Sequence, residues 1–258
     1  GQIFLQQELT KLEFPRQITL DVCVADSQGR IGYILQNVFD NVCQKRGIDK
    51  RSFAVITQVV VDPKDPAFDN PSKPIGVFYS QKDAQKLTEE LGWELVEDAG
   101  RGFRRVVPSP NPLEIVEMKI FHEVLEAGFI AIGGGGGGIP VVRGSNGELN
   151  GVEAVIDKDR TSALLANEVG IEQLIILTGV DFACLNYKSP QLQPIKNITV
   201  DKMEYYLKQG EFMEGSMKPK VEAAIDFVKN GGKKAIIANL YDLLPATEGK
   251  TGTHISAD

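Results

Sequence analysis

Six consecutive glycines occupy the middle of the stretch FIAIGGGGGGIPVV (129–142), between two apolar segments with the composition of buried strands. Gly133, Gly135 and Gly138 satisfy the dinucleotide-binding pattern G-x-G-x-x-G, but any run of six glycines does so. That pattern also needs a helix directly after the glycines, whereas an extended segment begins here at Ile139. The stretch therefore predicts a strand, a loop without side chains and a second strand, rather than a dinucleotide fold.

The glycine loop itself suggests a binding role. Because no side chain blocks access, its backbone amides can approach an anionic group closely. The alternative is a flexible surface loop. We favour the first interpretation, because ordering six glycines between two buried strands has a high entropic cost.

Helices and strands alternate around this stretch. The periodicity predicts helices over 25–43, 81–91, 112–127, 160–169, 200–208 and 219–229, and strands over 54–62, 129–132, 139–142, 174–178 and 234–239. Apolar spacing in residues 1–12 suits a further short helix. This alternation predicts an α/β fold, a three-layer α/β/α sandwich in which helices cover both faces of a mostly parallel sheet.

The helix predicted over 25–43 is strongly apolar along one side. The residues on that side are Ile31, Ile34, Leu35, Val38, Phe39 and Val42. Gly29 and Gly32 lower helix propensity by about 1 kcal/mol each. We therefore expect a neighbouring backbone to approach the helix closely at both glycines.

The composition changes at Asp62. The segment DPKDPAFDNPSKPIG (62–76) contains four prolines, which favour a rigid, irregular course over a core element. A helix and a pair of strands are predicted after it. We interpret residues 62–108 as a small inserted subdomain that returns to the main body near Pro108.

Charge and cysteine content limit the classes of partner. The 258 residues carry 28 Lys and Arg against 35 Asp and Glu, a net charge of −7, which argues against nucleic acid or an anionic membrane as partner. Any bound anion must be held by a local site. Three scattered cysteines indicate a reducing compartment, the cytoplasm, and two histidines exclude a His-rich zinc site. No apolar run approaches the roughly 18 residues of a membrane span.

Two lysines lie at predicted helix starts. Lys158 precedes the N-cap candidate Asp159, and Lys220 follows Pro219, a residue that suits the first helical position. The helix dipole disfavours a cation there by about 0.3–1 kcal/mol. Both lysines can simply be solvated surface residues. Together with the glycine loop, however, they favour a phosphate site held by helix starts and ammonium groups.

Several motifs, in order along nearly the whole chain, resemble the carbamate kinase family of the amino-acid kinase superfamily. They include SKPIG (72–76), GRGFRRVVPSP (100–110), VIDKD (155–159), LTGVDFACLNY (177–187) and GSMKPK (215–220). The resemblance implies one amino-acid-kinase-like domain over 1–258. Its open, mostly parallel sheet would lie between helical layers, and segment 62–108 would protrude.

The resemblance also implies a reaction, in which ADP and carbamoyl phosphate reversibly give ATP and carbamate. Magnesium would be bound mainly through the phosphates, with no metal site formed by the protein alone. Carbamate is already an anion, so no general base is needed. By motif, Lys158 and Lys220 would bracket the phosphoryl group, Asp159 would orient them, and Lys73 would reach the small substrate.

The remaining site residues follow from the same motifs. Four glycines would lie near the small substrate: Gly134, Gly135, Gly136 and Gly137. Eight residues would frame the nucleotide: Thr178, Val180, Asp181, Tyr187, Phe212, Gly215, Ser216 and Met217. The family further implies a homodimer with a role in arginine metabolism.

Three departures from the family pattern stand out. Gly179 replaces the usual aspartate of L-T-D-V, with Asp181 as a possible substitute, and Phe103 replaces a usual tryptophan. The family also begins with a strand, helix and strand whose loops hold phosphates, about 30 residues or more that are absent before Gly1. We expect the natural protein to have that segment.

Two other functions stay open. The chain can be a non-catalytic relative that binds nucleotide, or a kinase for another small carboxylic acid. Among smaller features, Arg101, Arg104 and Arg105 can clamp phosphate, but we prefer a role in attaching the inserted segment to the body. The cysteines are interpreted as small core residues.

Overall fold

The computed structural model describes residues 18–98, 100–187 and 189–258, so the helix predicted within 1–12 lies outside the described residues. The chain divides into two compact units. The first ends at Lys158, and the second runs from Asp159 to Asp258.

The first unit contains three α-helices and nine strands among its described residues. The helices are α1 (Leu20–Arg46), α2 (Gln81–Leu91) and α3 (Met118–Glu126). The strands are β1 (Ser52–Ala54), β2 (Gln58–Val61), β3 (Lys73–Tyr79), β4 (Leu95–Glu97), β5 (Phe103–Val107), β6 (Pro112–Ile115), β7 (Ile130–Ile132), β8 (Ile139–Arg143) and β9 (Leu149–Gly151).

These strands form three sheets, in the orders β1-β7, β6-β2-β8-β9 and β3-β5-β4. The pairs β1–β7 and β2–β8 are parallel, so both strands that flank the glycine run have a parallel neighbour. The other pairs in these sheets are antiparallel.

The second unit places its helices around a mixed four-stranded sheet. Its helices are α4 (Lys158–Glu168), which begins at the last residue of the first unit, α5 (Val200–Lys208), α6 (Met217–Lys229) and α7 (Leu243–Thr247). Its strands are β10 (Gln173–Thr178), β11 (Cys184–Leu185), β12 (Gln193–Pro194), β13 (Asn197–Thr199), β14 (Lys234–Asn239) and β15 (Thr253–Ser256). The sheet order is β10-β14-β15-β13, and β11 pairs with β12 in a separate hairpin.

The core of the second unit lies between this sheet and α6. One face of α6 buries Val221, Ala224 and Phe227, and the sheet contributes Ile237 and Ile255. Burial of this face stabilises the helix, at about 1.5–3 kcal/mol for each large apolar side chain. The start of α6 is thereby held in place.

The predicted α/β class is confirmed. Parallel strands β10 and β14 are paired along their full length, from Gln173 with Lys234 to Thr178 with Asn239. The helices predicted over 81–91 and 200–208 have those bounds in the structure. The strand pair predicted after the proline-rich segment is present as β4 and β5.

Two predicted elements differ from the structure. The single strand expected over 54–62 is two strands, β1 and β2, in different sheets. They are separated where Gln28 accepts a hydrogen bond from the Thr57 N–H. The helix expected over 112–127 begins only at Met118, because Glu114 and Ile115 extend the sheet beside β2. The apolar spacing that predicts α3 is also present in β6, so the sequence pattern did not indicate where the strand ends and the helix begins.

The apolar side of α1 is not its buried side. Ile31, Ile34, Leu35, Val38 and Val42 are exposed and Phe39 is half-buried, whereas the buried residues are Leu20, Cys23, Val24, Gln28, Gly32 and Cys43. A Cβ built at Gly32 would lie 3.0 Å from the Ala54 Cβ, so the expected close approach of a neighbouring segment is confirmed at this glycine. No atom of the described residues lies within 4 Å of a Cβ built at Gly29, so the same expectation was wrong there.

The segment 62–108 forms a sheet of its own, β3-β5-β4, with α2 against it. Arg105 bonds Glu153, outside the segment, and its guanidinium lies 4.5 Å from the centre of the Trp93 ring. Arg101 and Arg104 both pair with Asp98 within the segment. Arg105 therefore attaches the segment to the body of the first unit, while the other two arginines act inside it. No helix in the three described ranges combines the length and hydropathy needed to cross a membrane.

We expect Thr253→Val to destabilise the second unit. The Thr253 hydroxyl is fully buried, accepts from the Ala183 N–H at 2.9 Å and donates to the Ile195 carbonyl. Valine leaves both groups unsatisfied, at a loss of about 1–3 kcal/mol in the free energy of unfolding, measured by urea denaturation. Thr247→Val is the control, because that hydroxyl is exposed. Equal stability of the two variants would contradict the assignment.

Candidate functional site

The glycine run forms a tight turn between β7 and β8. Gly134, Gly136, Gly137 and Gly138 have φ angles of 64°, 69°, 101° and 89°, a region that other residues rarely adopt. Gly135–Gly137 forms one 3-10 turn. The conformation itself therefore demands glycine at four of the six positions.

Close packing demands glycine as well. A Cβ at Gly137 would lie 2.2 Å from the Ile156 carbonyl oxygen, and one at Gly138 would lie 2.2 Å from a Val59 methyl. Gly135 and Gly136 are exposed at the middle of the turn, and Gly133 is exposed where the run begins. The run is thus a fitted turn with a short accessible crest, rather than a loose loop.

Two buried polar side chains hold this turn. The Gly134 N–H donates to the Thr57 hydroxyl at 2.9 Å, and the Gln28 amide donates to the Gly135 carbonyl at 3.0 Å. Gln28 and Thr57 also bond each other, through the Thr57 N–H at 2.7 Å and the Thr57 carbonyl at 3.1 Å. Sequence reasoning missed both residues. An amide side chain inside an apolar helix was the available signal for Gln28.

Lys73 is paired in the first unit. Its ammonium lies 2.6 Å from a carboxylate oxygen of Asp157, whose side chain is 9% exposed. Lys73 opens β3, and Asp157 directly precedes α4. A carboxylate this buried needs a cationic partner, so each residue fixes the other. The sequence pointed to Lys73 as a substrate contact but gave Asp157 no role.

Lys220 is paired in the second unit. Its ammonium lies 2.8 Å from Asp159, and the two side chains are 11% and 9% exposed. Asp159 is the second residue of α4, where the helix dipole favours a carboxylate. Arg160 bonds Glu222 at 2.8 Å and gives the same two helices a second ion pair.

Two capping predictions were wrong. Asp159 is not an N-cap, because α4 already begins at Lys158, and its carboxylate binds Lys220 instead. Pro219 is the third residue of α6 rather than the first, since the helix begins at Met217. Proline is tolerated there because the first-turn amides have no partner within the helix. Lys220 nevertheless lies in the first turn, and Lys158 is exposed at the start of α4.

A pocket of about 470 Å³ lies in the second unit, at the carboxyl end of β10. Its walls include seven of the eight residues predicted around a nucleotide: Thr178, Val180, Asp181, Tyr187, Phe212, Ser216 and Met217. Gly215 is not among the lining residues. Sequence reasoning did not include Leu192 or Pro194, which complete the apolar wall together with Phe182, Cys184 and Met213. The hairpin β11–β12 carries much of that wall, and its two-residue strands gave no periodic signal.

Polar groups at one edge of this pocket are fixed. Asp181 accepts a hydrogen bond from the Asn239 amide at 2.8 Å, and Asn239 ends β14 beside the end of β10. Within the part of the chain that the structure describes, no atom lies within 4 Å of a Cβ built at Gly179. An aspartate side chain therefore has room at that position.

The thiols are not activated at this site. Burial raises the pKa of the Cys184 thiol above its ordinary value, so the group is protonated and weakly nucleophilic near neutral pH. Burial and the nearby Asp26 carboxylate raise the pKa of Cys23 to about 11. Cys23 and Cys43 are buried as predicted, whereas Cys184 is only half-buried and lines the pocket.

Comparison with known proteins gives consistent results. A model of the amino acid kinase family matches residues 25–239. The carbamate kinase of Pyrococcus horikoshii is 52% identical over 237 residues, which cover 92% of this chain and 75% of that protein. The carbamate kinase of Staphylococcus epidermidis is 46% identical over 235 residues, covering 91% and 76%. A solved structure of carbamate kinase from Giardia lamblia bound to AMP-PNP has a TM-score of 0.89 at 42% identity. It covers 100% of this chain and 82% of that one.

We expect Gly137→Ala to destabilise the first unit more than Gly147→Ala. Both glycines have positive φ, but only at Gly137 would the new methyl meet backbone atoms, whereas Gly147 has open space around it. The control should lose about 1–2 kcal/mol from backbone conformation alone. Gly137→Ala should lose a further 1–3 kcal/mol, roughly, from overpacking. Urea denaturation of both variants measures the difference, and equal losses would show that the turn is not packed as described.

Proposed function

This chain belongs to the carbamate kinases of the amino acid kinase family, and from that premise we propose that it catalyses reversible phosphoryl transfer between carbamoyl phosphate and ADP, giving carbamate and ATP. The observation that carries the proposal is the identity of about half the residues with curated carbamate kinases over nine-tenths of the chain. The chain is thus a phosphotransferase.

The reaction needs charge neutralisation more than proton transfer. A terminal oxygen of ADP forms a bond to the phosphorus of carbamoyl phosphate, while the bond between phosphorus and the carbamoyl oxygen breaks. Carbamate leaves as an anion, so no proton has to be removed from the nucleophile or added to the leaving group. Fixed cations and backbone amides aimed at the migrating group are then the main source of rate enhancement.

We assign that task to Lys158 and Lys220, with Asp159 as the residue that positions Lys220. The 2.8 Å ion pair supports this assignment, because a lysine held by a buried carboxylate keeps one orientation and loses little freedom when substrate binds. Lys158 directly precedes Asp159, and the residue is exposed.

The nucleotide is proposed to bind in the pocket at the end of β10. A volume of about 470 Å³ with aromatic and aliphatic walls suits a base and ribose, and AMP-PNP is bound to the Giardia relative. The assigned residues are Thr178, Val180, Asp181, Tyr187, Phe212, Gly215, Ser216 and Met217. Gly215 does not line the pocket itself and would act through the backbone beside Ser216.

The small substrate is proposed to bind near Lys73 and the crest of the glycine turn. Lys73 is held by Asp157 and is one-third exposed, so its ammonium can still meet an anion. The exposed crest, Gly135 and Gly136, allows close backbone approach, and Gly134 and Gly137 give the turn its shape.

The remaining features of the proposal are expectations from the family. Mg²⁺ would enter with the nucleotide and be coordinated mainly by phosphate oxygens. Among the described residues no group of three or more acidic, histidine or cysteine side chains could hold a metal. We further propose a homodimer that works in the cytoplasm in arginine metabolism. Three free thiols are consistent with a reducing compartment.

Replacing either proposed catalytic lysine should abolish most turnover. We expect Lys158→Ala and Lys220→Ala to lower kcat by roughly 10²–10³, because each removes a charge proposed to face the transferring group. Lys218→Ala is the matched control, since that lysine is also in the first turn of α6 but pairs with Glu214 at the surface. Coupled detection of ATP formed from carbamoyl phosphate and ADP measures the rates. Undiminished rates in both variants would refute the assignment.

The same assay separates the two other functions. Nucleotide binding without turnover would identify a non-catalytic relative. Turnover with acetyl phosphate but not carbamoyl phosphate would identify a kinase for another carboxylic acid.

We expect Gly179→Asp to lower the KM for ADP. The site has room for the side chain, and a carboxylate there can accept a hydrogen bond from the bound nucleotide. One such bond contributes about 1 kcal/mol, or roughly fivefold in affinity. Gly29→Asp adds the same charge in open space on α1 and serves as the control. A higher KM in Gly179→Asp alone would contradict the expectation.

A further inference from the structure

Gln28 is a polar residue on the buried side of α1, where it is only 6% exposed. Its side-chain oxygen accepts from the Thr57 N–H, and its NH₂ group donates to the carbonyl oxygens of Thr57 and Gly135 at 3.1 and 3.0 Å. Methionine or leucine would fill similar space without burying an amide, which costs free energy unless its hydrogen bonds are made. The amide is therefore expected to do something that packing alone does not.

The bond to Gly135 fixes the direction of one peptide group. The Gly135 carbonyl and the Gly136 N–H belong to the same planar trans peptide, in which the C=O and N–H bonds point in opposite directions. Because Gln28 holds the carbonyl oxygen from the side of α1, the Gly136 N–H is directed away from that helix. Gly136 is exposed, so this N–H lies on the accessible crest of the turn.

The main-chain bonds of the turn do not use this N–H. They run from the Gly137 N–H to the Gly134 carbonyl at 3.0 Å and from the Gly138 N–H to the Gly135 carbonyl at 3.2 Å. Over the described ranges, the Gly136 N–H donates to no protein group. A backbone N–H of this kind on an exposed glycine turn is a donor for an anion.

Glycine alone does not hold this peptide in one orientation. Gly136 has a φ of 69°, and glycine adopts positive and negative φ about equally readily, so a half-turn of the peptide would exchange the carbonyl and the N–H. A cavity of about 100 Å³ borders Gln28, Gly133 and Gly135, so packing leaves one side of the turn unfilled. Hydrogen bonds must then hold the peptide. Within the described part of the chain, Gln28 is the one side chain that bonds Gly135 or Gly136.

We propose that Gln28 is a positioning residue for the small substrate, which keeps the peptide between Gly135 and Gly136 oriented so that the Gly136 N–H meets the anionic carbamoyl phosphate. The inference rests on the proposed function, in which the crest and Lys73 receive that substrate. A donor held in advance needs no reorganisation when the anion binds, whereas a reversed peptide would place a carbonyl oxygen against it. The nucleotide is assigned to another pocket, so Gln28 should affect one substrate and not the other.

Two variants of Gln28 test this selectivity. Gln28→Met keeps the approximate size and removes all three bonds, whereas Gln28→Glu keeps the acceptor for the Thr57 N–H and, when ionised, has no hydrogen to donate to Gly135. Both should raise the KM for carbamoyl phosphate by roughly tenfold to a hundredfold, as expected for one hydrogen bond to a charged group. The KM for ADP should stay within about twofold. Coupled detection of ATP measures both constants.

Gln36 provides the matched control. It lies two turns further along α1, and its side-chain oxygen accepts from the Ala54 N–H of β1 at 3.2 Å. Gln36→Met removes this bond between helix and strand without touching the glycine turn, and should leave both KM values unchanged. A KM does not depend on the concentration of active enzyme, so partial unfolding would lower the maximal rate without raising the KM for one substrate alone.

Three results would overturn the inference and leave Gln28 a structural residue. They are an unchanged KM for carbamoyl phosphate in folded Gln28→Glu, an equal rise in both KM values, and loss of the fold in both Gln28 variants. Wild-type protein that forms no ATP from carbamoyl phosphate would be a different failure. It would overturn the proposed function itself, and this inference with it.

Discussion

The ion pair between Lys220 and Asp159 is the interaction on which the proposed chemistry depends. Both groups are about nine-tenths buried, so neither would stay charged at low cost without the other. The pair joins the first turns of α4 and α6. The buried apolar face of α6 fixes the backbone position of Lys220, from which the side chain extends to Asp159. Packing of a hydrophobic core thus determines the position of a cation.

Each of the two acids in the motif Asp157-Lys158-Asp159 forms an ion pair with a different lysine. Asp157 holds Lys73 in the first unit, Asp159 holds Lys220 in the second, and the exposed Lys158 lies between them in sequence. Two of these three consecutive residues therefore each hold a lysine distant in sequence. Replacing Asp159 would leave the buried Lys220 ammonium without its partner, and replacing Asp157 would release the half-buried Lys73, so both acids matter although neither need touch substrate.

Much of this arrangement could be predicted from the sequence. Regular apolar periodicity predicted the bounds of α2 and α5. Seven of the eight residues that the family motifs assign to a nucleotide line one pocket. Partners distant in sequence could not be predicted, because nothing local encodes that Gln28 meets Thr57 or that Asp157 meets Lys73. Apolar periodicity also did not identify the buried side of α1, which contains Gln28 and Gly32, while Ile31, Ile34 and Leu35 are exposed. Periodicity reports which residues share a side of a helix, but tertiary contacts decide which side is buried.

The close packing of the glycine turn limits which amino-acid replacements it can tolerate during evolution. Every missense change of one base in a glycine codon introduces at least a Cβ. At Gly137 and Gly138 that atom would meet the Ile156 carbonyl and a Val59 methyl, and at Gly133 it would meet the Phe121 ring. No single-step amino-acid replacement at these three codons is therefore sterically silent. Gly210 and Gly249 have positive φ but open space around them, so replacements there would suffer only conformational strain. Purifying selection should therefore act unevenly on the glycines, most strongly where neighbouring atoms leave no space for a methyl group.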